Sequence, residues 1–286
     1  MADDQSVSSK AQPALNVEGV EINEHCVGSR WATADIDQLA RVVVMIAMGQ
    51  ATHAAHIISE LRPLTPALNI EALRAAAKTR LSIAGKTAAQ LDVSRYHRDG
   101  LIFEAISWVA AQQSTTGKAL LRDPHLSSTT QGLDGLMIEL DATGTGIACT
   151  TVFEDKCSEH PRTKFRDEIM PAFLAHHGNA RGPDLLAAAA ALLQRVGLNG
   201  TQSTEAAARV LDRKYRAYRA SLALTNADES LKRRKALFKD YEELSGIDAR
   251  RRIAGIFITA ADLRGWFDKL ASAATAYIDS LDAEDN

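Results

Sequence analysis

The sequence predicts an α/β protein whose small mixed sheet is flanked by helices. Three observations carry that reading. Apolar residues recur at helical spacing through much of the first hundred positions. Two apolar segments, LMIEL and IACTTVF, then flank the glycine-containing turn DATGTG, as the arms of a hairpin would. A further apolar segment, RIAGIFITA at 252–260, runs into a long amphipathic helix, so helices and strands alternate through the second half.

Taken in order, residues 1–15 read as a loose leader. The opening MADDQSVSSKAQPALN is polar and acidic, unlike a secretory signal. Ile36, Leu39, Val42, Val43 and Ile46 predict a helix reaching about Leu61, with Asp35 or Thr33 as N-cap. Pro63 and Pro66 end it. Further helices are expected at 70–82 and 86–91. The charged stretch RYHRDG separates them from LIFEAISWVAAQQ, a helix with Ile102, Ile106, Val109 and Ala110 on one side. A strand is expected within 118–126, followed by the hairpin. Pro161 suits the first turn of a helix striped by Phe165, Ile169, Phe173 and Leu174. Ala-rich helices are expected at 184–196 and 203–222 and a charged one at 231–244, before the strand at 252–260 and the closing helix. These elements divide the chain into a leader and helical region over 1–95 and an α/β domain over 96–286, with a helical insertion at about 184–244.

Composition narrows the function classes. The 286 residues are 46% hydrophobic and 24% charged, with a net charge of −3 and a pI near 6.3, so any nucleic-acid contact must come from a local patch. Three cysteines without CxxC spacing fit neither a disulfide framework nor a cysteine-rich zinc site. The longest purely apolar stretch, LLAAAAALL, is too short to span a bilayer, which predicts a soluble cytoplasmic protein.

The hairpin carries the chemistry. About a turn centred near Gly144, Asp134 and Glu154 stand opposite each other, where Cβ atoms lie roughly 4.5–5.5 Å apart. Alternation puts Glu154 and Lys156 on one face and Asp155 on the other. Two carboxylates this close raise each other's pKa unless a cation lies between them, and a hard divalent ion such as Mg²⁺ relieves the conflict. Lys156 could orient or deprotonate a nucleophile, or stabilise charge on a phosphate oxygen. That set suits phosphodiester hydrolysis. Structural alternatives stay open: a strand-initiating Asp134, an edge-strand Glu154–Lys156 pair and a solvated Glu104. The His53/His56 and His176/His177 pairs match no strong metal spacing, and DATGTG lacks a P-loop's GK[ST].

Asp134 followed by Glu154-Asp155-Lys156 resembles the PD-(D/E)xK nuclease motif in its D…ExK form. The similarity covers roughly 96–178, with Leu133 where the motif's proline would stand. It implies a restriction-endonuclease-like core, a metal site of Asp134, Glu154 and Glu104 holding Mg²⁺ or Mn²⁺, and Lys156 assisting the attacking water. A narrower similarity rests on RDGLIFEAISWVAA, the GLDG hairpin with FEDK, and IAGIFITA. It is to the HamA family, the nuclease subunits of the Hachiman anti-phage defence system. It implies DNA degradation controlled by a HamB-like helicase partner. Among the basic clusters, Arg250, Arg251 and Arg252 are the favoured DNA contacts because they lead into the sheet. Lys232, Arg233, Arg234 and Lys235 lie in the segment expected to hold the partner. A non-catalytic interaction subunit and a toxin-like ribonuclease are the competing readings.

Overall fold

In the computed structural model, residues 13–60, 64–115, 119–126, 132–226 and 229–284 are described. Pro63 and most of the expected leader lie outside them.

The chain opens with a strand pair, β1 (Leu15–Asn23) and β2 (Cys26–Thr33), where the sequence predicts a leader and helices. Asp35 caps α1 (Ile36–Ala47), its carboxylate accepting from the N–H groups of Asp37 and Gln38. The expected single helix to residue 61 is broken at Gly49, whose φ of +80° leaves the helical region, and resumes as α2 (Ala51–Glu60). After α3 (Glu71–Leu81), a Thr87–Gln90 capping box starts α4 (Ala88–Ser114). Helix α4 is continuous where a helix at 86–91, a charged loop and a second helix are expected. RYHRDG is helical because its buried Asp99 is neutralised by Arg98 and, from far along the chain, by Arg264.

The strand expected in 118–126 is the three-residue β3 (Ala119–Leu121). Strands β4 (Gly135–Leu140) and β5 (Ile147–Lys156) form the hairpin. Next come α5 (Pro161–Lys164), a π turn over Phe165–Ile169 and α6 (Met170–His177). Phe165, Ile169 and Phe173 are buried, whereas Leu174 faces out because the widened turn keeps only the every-fourth-residue stripe inside. Helix α7 (Gly182–Gln194) is as expected.

The helix predicted at 203–222 is a correction. Helix α8 (Gly200–Ala207) stops early, and residues 216–225 form strand β6 (Arg216–Thr225), of which only Thr225 is not buried. Both faces of this central strand are covered, so period-two patterning is absent and its Ala and Leu content mimics a helix. The expected helix 231–244 is likewise shortened to α9 (Leu231–Leu237), and Asp240 at φ +74° prevents its continuation toward residue 244. Strand β7 (Arg252–Thr259) and helix α10 (Leu263–Glu284) close the chain.

Among the described residues the sheet has seven strands, ordered β1-β2-β7-β6-β5-β4-β3. Strands β2, β7, β6 and β5 run parallel, while β1 and β4 are antiparallel to their neighbours. One face packs on α1, α2, α4 and α10 through Trp31, Phe103, Phe257 and Phe267. The other packs on α6, α7 and their flanking turns through Leu136, Val152, Phe165 and Leu192. The expected boundary at 95/96 therefore falls inside α4, the N-terminal strands belong to the same sheet, and the segment 184–244 supplies a central strand. Among the described residues no helix is long and apolar enough to cross a membrane.

Candidate functional site

Register fixes the site. Gly135 pairs with Phe153, so the next position outward sets Asp134 against Glu154, although a bulge between Glu139 and Leu140 shifts the register nearer the turn. The same alternation directs Leu136, Ile138 and Val152 into the apolar layer around Phe165, which places Asp134 and Glu154 on that face. At the open end of the hairpin the Lys156 ammonium donates to Asp134 Oδ2 at 2.9 Å and to Glu154 Oε2 at 3.2 Å. The Asp155 N–H donates to the same Asp134 oxygen at 2.9 Å. The three side chains thus converge at a single point.

Burial sets their protonation. Glu154 is 5% exposed; desolvation, and then the Asp134 carboxylate, push its carboxyl up to about 8 against the pull of Lys156. Desolvation alone would lower Lys156, but the two carboxylates outweigh it and hold the amine well above its ordinary range. As it stands, Lys156 is an ammonium that donates hydrogen bonds and cannot take a proton. Asp155 points to the opposite face, as expected, among Arg219, Ser221 and Ser107. Desolvation lifts its carboxyl to about 6, with Arg219 opposing.

A cavity of about 560 Å³ opens over this point, lined by Asp134, Lys156, Glu104, His160, Lys164 and Arg264 among others. Glu104 comes from α4, in the other layer, and does not join the shared ammonium. Its Oε1 accepts the His125 N–H at 2.7 Å and lies 3.1 Å from His125 Nδ1. Arg122 extends this chain, contacting His125 Nε2 and the Leu133 carbonyl beside Asp134. Among the described residues no three His, Cys, Asp or Glu side chains stand close enough together to hold a metal ion. The chemistry that does fit is a two-carboxylate set: Asp134 and Glu154 direct one oxygen each at the same cation position, and Mg²⁺ is commonly bound by one or two carboxylates with water completing its shell.

Two participants escape sequence reasoning. Arg264 enters the cavity from the start of α10, held by Asp99 at 2.6 Å and lying 4.8 Å over the Tyr96 ring. His125 lies in an irregular segment without periodicity. No local pattern signals Arg264, because its partner Asp99 lies on another helix far away in the sequence.

The expected DNA contacts are placed elsewhere. Arg252 is buried, its guanidinium donating to the carbonyls of Leu244, Ile247 and His25. Arg251 donates to the Lys214 carbonyl, and Arg250 is exposed. In register Arg252 is level with Tyr218 and Val152, at the end of the parallel strands away from Lys156. Arg252 therefore serves as a structural anchor. Arg216 and Arg219, from another basic run, are buried inside β6. On α9, Arg234 donates to the carbonyls of Glu21 and Glu229. A scan of protein-family models, a search of curated proteins and a search of solved structures each returned no match to this chain.

Proposed function

We propose that the chain is a metal-dependent phosphodiester hydrolase, a DNA endonuclease with a restriction-endonuclease-like core. The observation that carries the reading is the convergence of Asp134 and buried Glu154 on Lys156, with Asp134 and Lys156 lining a cleft. A purely structural ion pair gains nothing from a second, buried carboxylate held against its charge preference, whereas catalytic sites are where such perturbed groups gather. The order of elements supports it too. An acid-bearing helix, α4, precedes the antiparallel strands β3, β4 and β5, and helices α5 to α8 cross over to β6, parallel to β5.

In this reading Asp134 and Glu154 would hold Mg²⁺ or Mn²⁺, which when bound supplies Lewis acidity toward a phosphate oxygen and an acidified water. Lys156, released from one carboxylate, places its ammonium against a non-bridging phosphate oxygen and stabilises the charge that develops there. Arg264 offers a second cation from the cavity wall. Glu104 acts at the cavity wall, fixing His125.

Control by a HamB-like helicase, in anti-phage defence, is proposed on the sequence resemblance, with DNA as substrate. The test is cleavage of supercoiled plasmid by purified protein in Mg²⁺, Mn²⁺ or EDTA, alone and with the product of the neighbouring gene. Metal-dependent nicking that disappears in Asp134→Asn and Lys156→Met supports the reading. Equal cleavage by those variants removes both residues from the mechanism. Large loss of thermal stability in those variants instead supports a structural ion-pair role for Asp134, Glu154 and Lys156.

A further inference from the structure

A second cavity, of about 1040 Å³, lies between the end of α3 and the first half of α4. It meets the cleft over Lys156 at His97 and Leu101, which line both. None of the described residues that line it is an Asp or Glu, in a chain that carries 36 of them. The cations that line it are Arg80, Lys86 and Arg98. Arg98 is neutralised by Asp99 and Asp268. Arg80 donates to the carbonyls of Ala47 and Leu126 and keeps its charge. Lys86 has no carboxylate partner among the described residues. The floor is apolar, with Ala84, Ala89, Val93 and Leu101. Tyr96, 53% exposed, stands at the junction with the cleft, the Arg264 guanidinium above its ring.

We propose that this groove is the path of a single nucleic-acid strand leading to Asp134, Glu154 and Lys156. The inference rests on the nuclease reading and adds to it the form of the substrate. Positive charge without competing carboxylates attracts phosphates. An apolar floor and an exposed aromatic ring receive unstacked bases, which a duplex keeps inside. From Lys86 to His97 the groove follows eleven residues of α4 and its capping turn, ~16 Å at 1.5 Å per residue, directly toward the site. A duplex, presenting only its backbone, would leave the apolar floor unused.

The test is binding of a fluorescein-labelled single-stranded 20-mer DNA, and of its duplex, read by anisotropy in EDTA so that no cleavage intervenes. Wild type, Lys86→Glu, Lys86→Glu/Val93→Glu and the control Lys239→Glu, which lines neither cavity, are compared, with circular dichroism confirming each fold. Lys86 and Val93 are exposed, so both substitutions leave the core intact. The single strand should bind more tightly than the duplex. The double variant should weaken it roughly tenfold or more and flatten its salt dependence, while Lys239→Glu stays within about twofold of wild type. Unchanged affinity in the double variant, or a wild type that binds no single strand, overturns the groove. The two readings fail separately. Metal-dependent cleavage with unchanged strand binding in the double variant sinks the groove alone. Strand binding lost in the double variant, by a wild type that cuts nothing, sinks the nuclease alone.

Discussion

Replacing Glu154 by Gln should stabilise the protein at alkaline pH while abolishing cleavage. The carboxyl ionises near 4.5 in an unfolded chain and near 8 in the fold, because desolvation and Asp134 oppose its charge. A raised folded pKa means that stability is fully present below about 4.5 and is lost as pH rises toward 8. The gap, 8 minus 4.5 at ~1.4 kcal/mol per pH unit, sets an upper bound of about 5 kcal/mol. Gln keeps the shape and one acceptor for Lys156, and the pull of Lys156 on the carboxylate is already contained in that gap. The expected gain at pH 8.5 is therefore several kcal/mol, bounded by that figure. At pH 5, where Glu154 already carries its proton, the variant should match wild type within ~1 kcal/mol. Urea unfolding of both proteins at the two pH values measures this, with plasmid cleavage alongside. A variant less stable than wild type at pH 8.5 would refute the reasoning, since it would make Glu154 a stabilising ion-pair partner with no conflict to relieve.

Arg216→Met should cost more than ~3 kcal/mol in urea melts, because the buried guanidinium donates to Val210, Leu211 and His176 carbonyls and to Asn179. Tyr241→Phe should cost about 1–3 kcal/mol by the same assay, since the hydroxyl donates toward the Tyr218 and Ile253 carbonyls and accepts from the Ala220 N–H where β6 and β7 begin. Desolvation, aided by Arg181 and Arg216, lowers buried His176 to about 4. Below pH 6.5 the unfolded chain takes a proton that the fold refuses, so stability falls toward pH 4 by at most ~3 kcal/mol. His176→Leu should flatten that part of the thermal unfolding profile, and an unchanged acid slope would assign it to other groups.

What was legible in the sequence was local. The hairpin follows from a turn between two short apolar runs, and its register alone brings Asp134 to Glu154 and Lys156 to the same face. The Asp35 cap and the separate α3 are equally local. What was not legible depended on distant partners. Strand β6 carries Arg216 and Arg219, which look like solvated helix charges until Val210, His176 and Ser107 supply their acceptors. Helix α4 runs through RYHRDG because Arg264, 165 residues away, covers Asp99. Arg252 reads as a DNA contact in the sequence, and only the carbonyls of His25, Leu244 and Ile247 reveal it as an anchor. Strands β1 and β2, of nine and eight residues, lie toward the sheet's margin and bury few side chains, so apolar alternation is weak there.

The placement of β7 between β2 and β6 makes the order of synthesis matter. The first hairpin to leave the ribosome has no sheet to join until the last strand of the sheet appears, since β2 is hydrogen-bonded to residues 253–258. Strand β6 likewise waits for β7 with one long apolar edge bare. Pairing at such sequence separation is slow, and unpaired edges of this kind recruit other chains. A chain ending before residue 252 could still form the β4–β5 arm that bears Asp134, Glu154 and Lys156, but β2 would lack its parallel neighbour and β6 would become an edge. Premature termination therefore leads to aggregation, and the cleft receives its full support only when synthesis is almost complete.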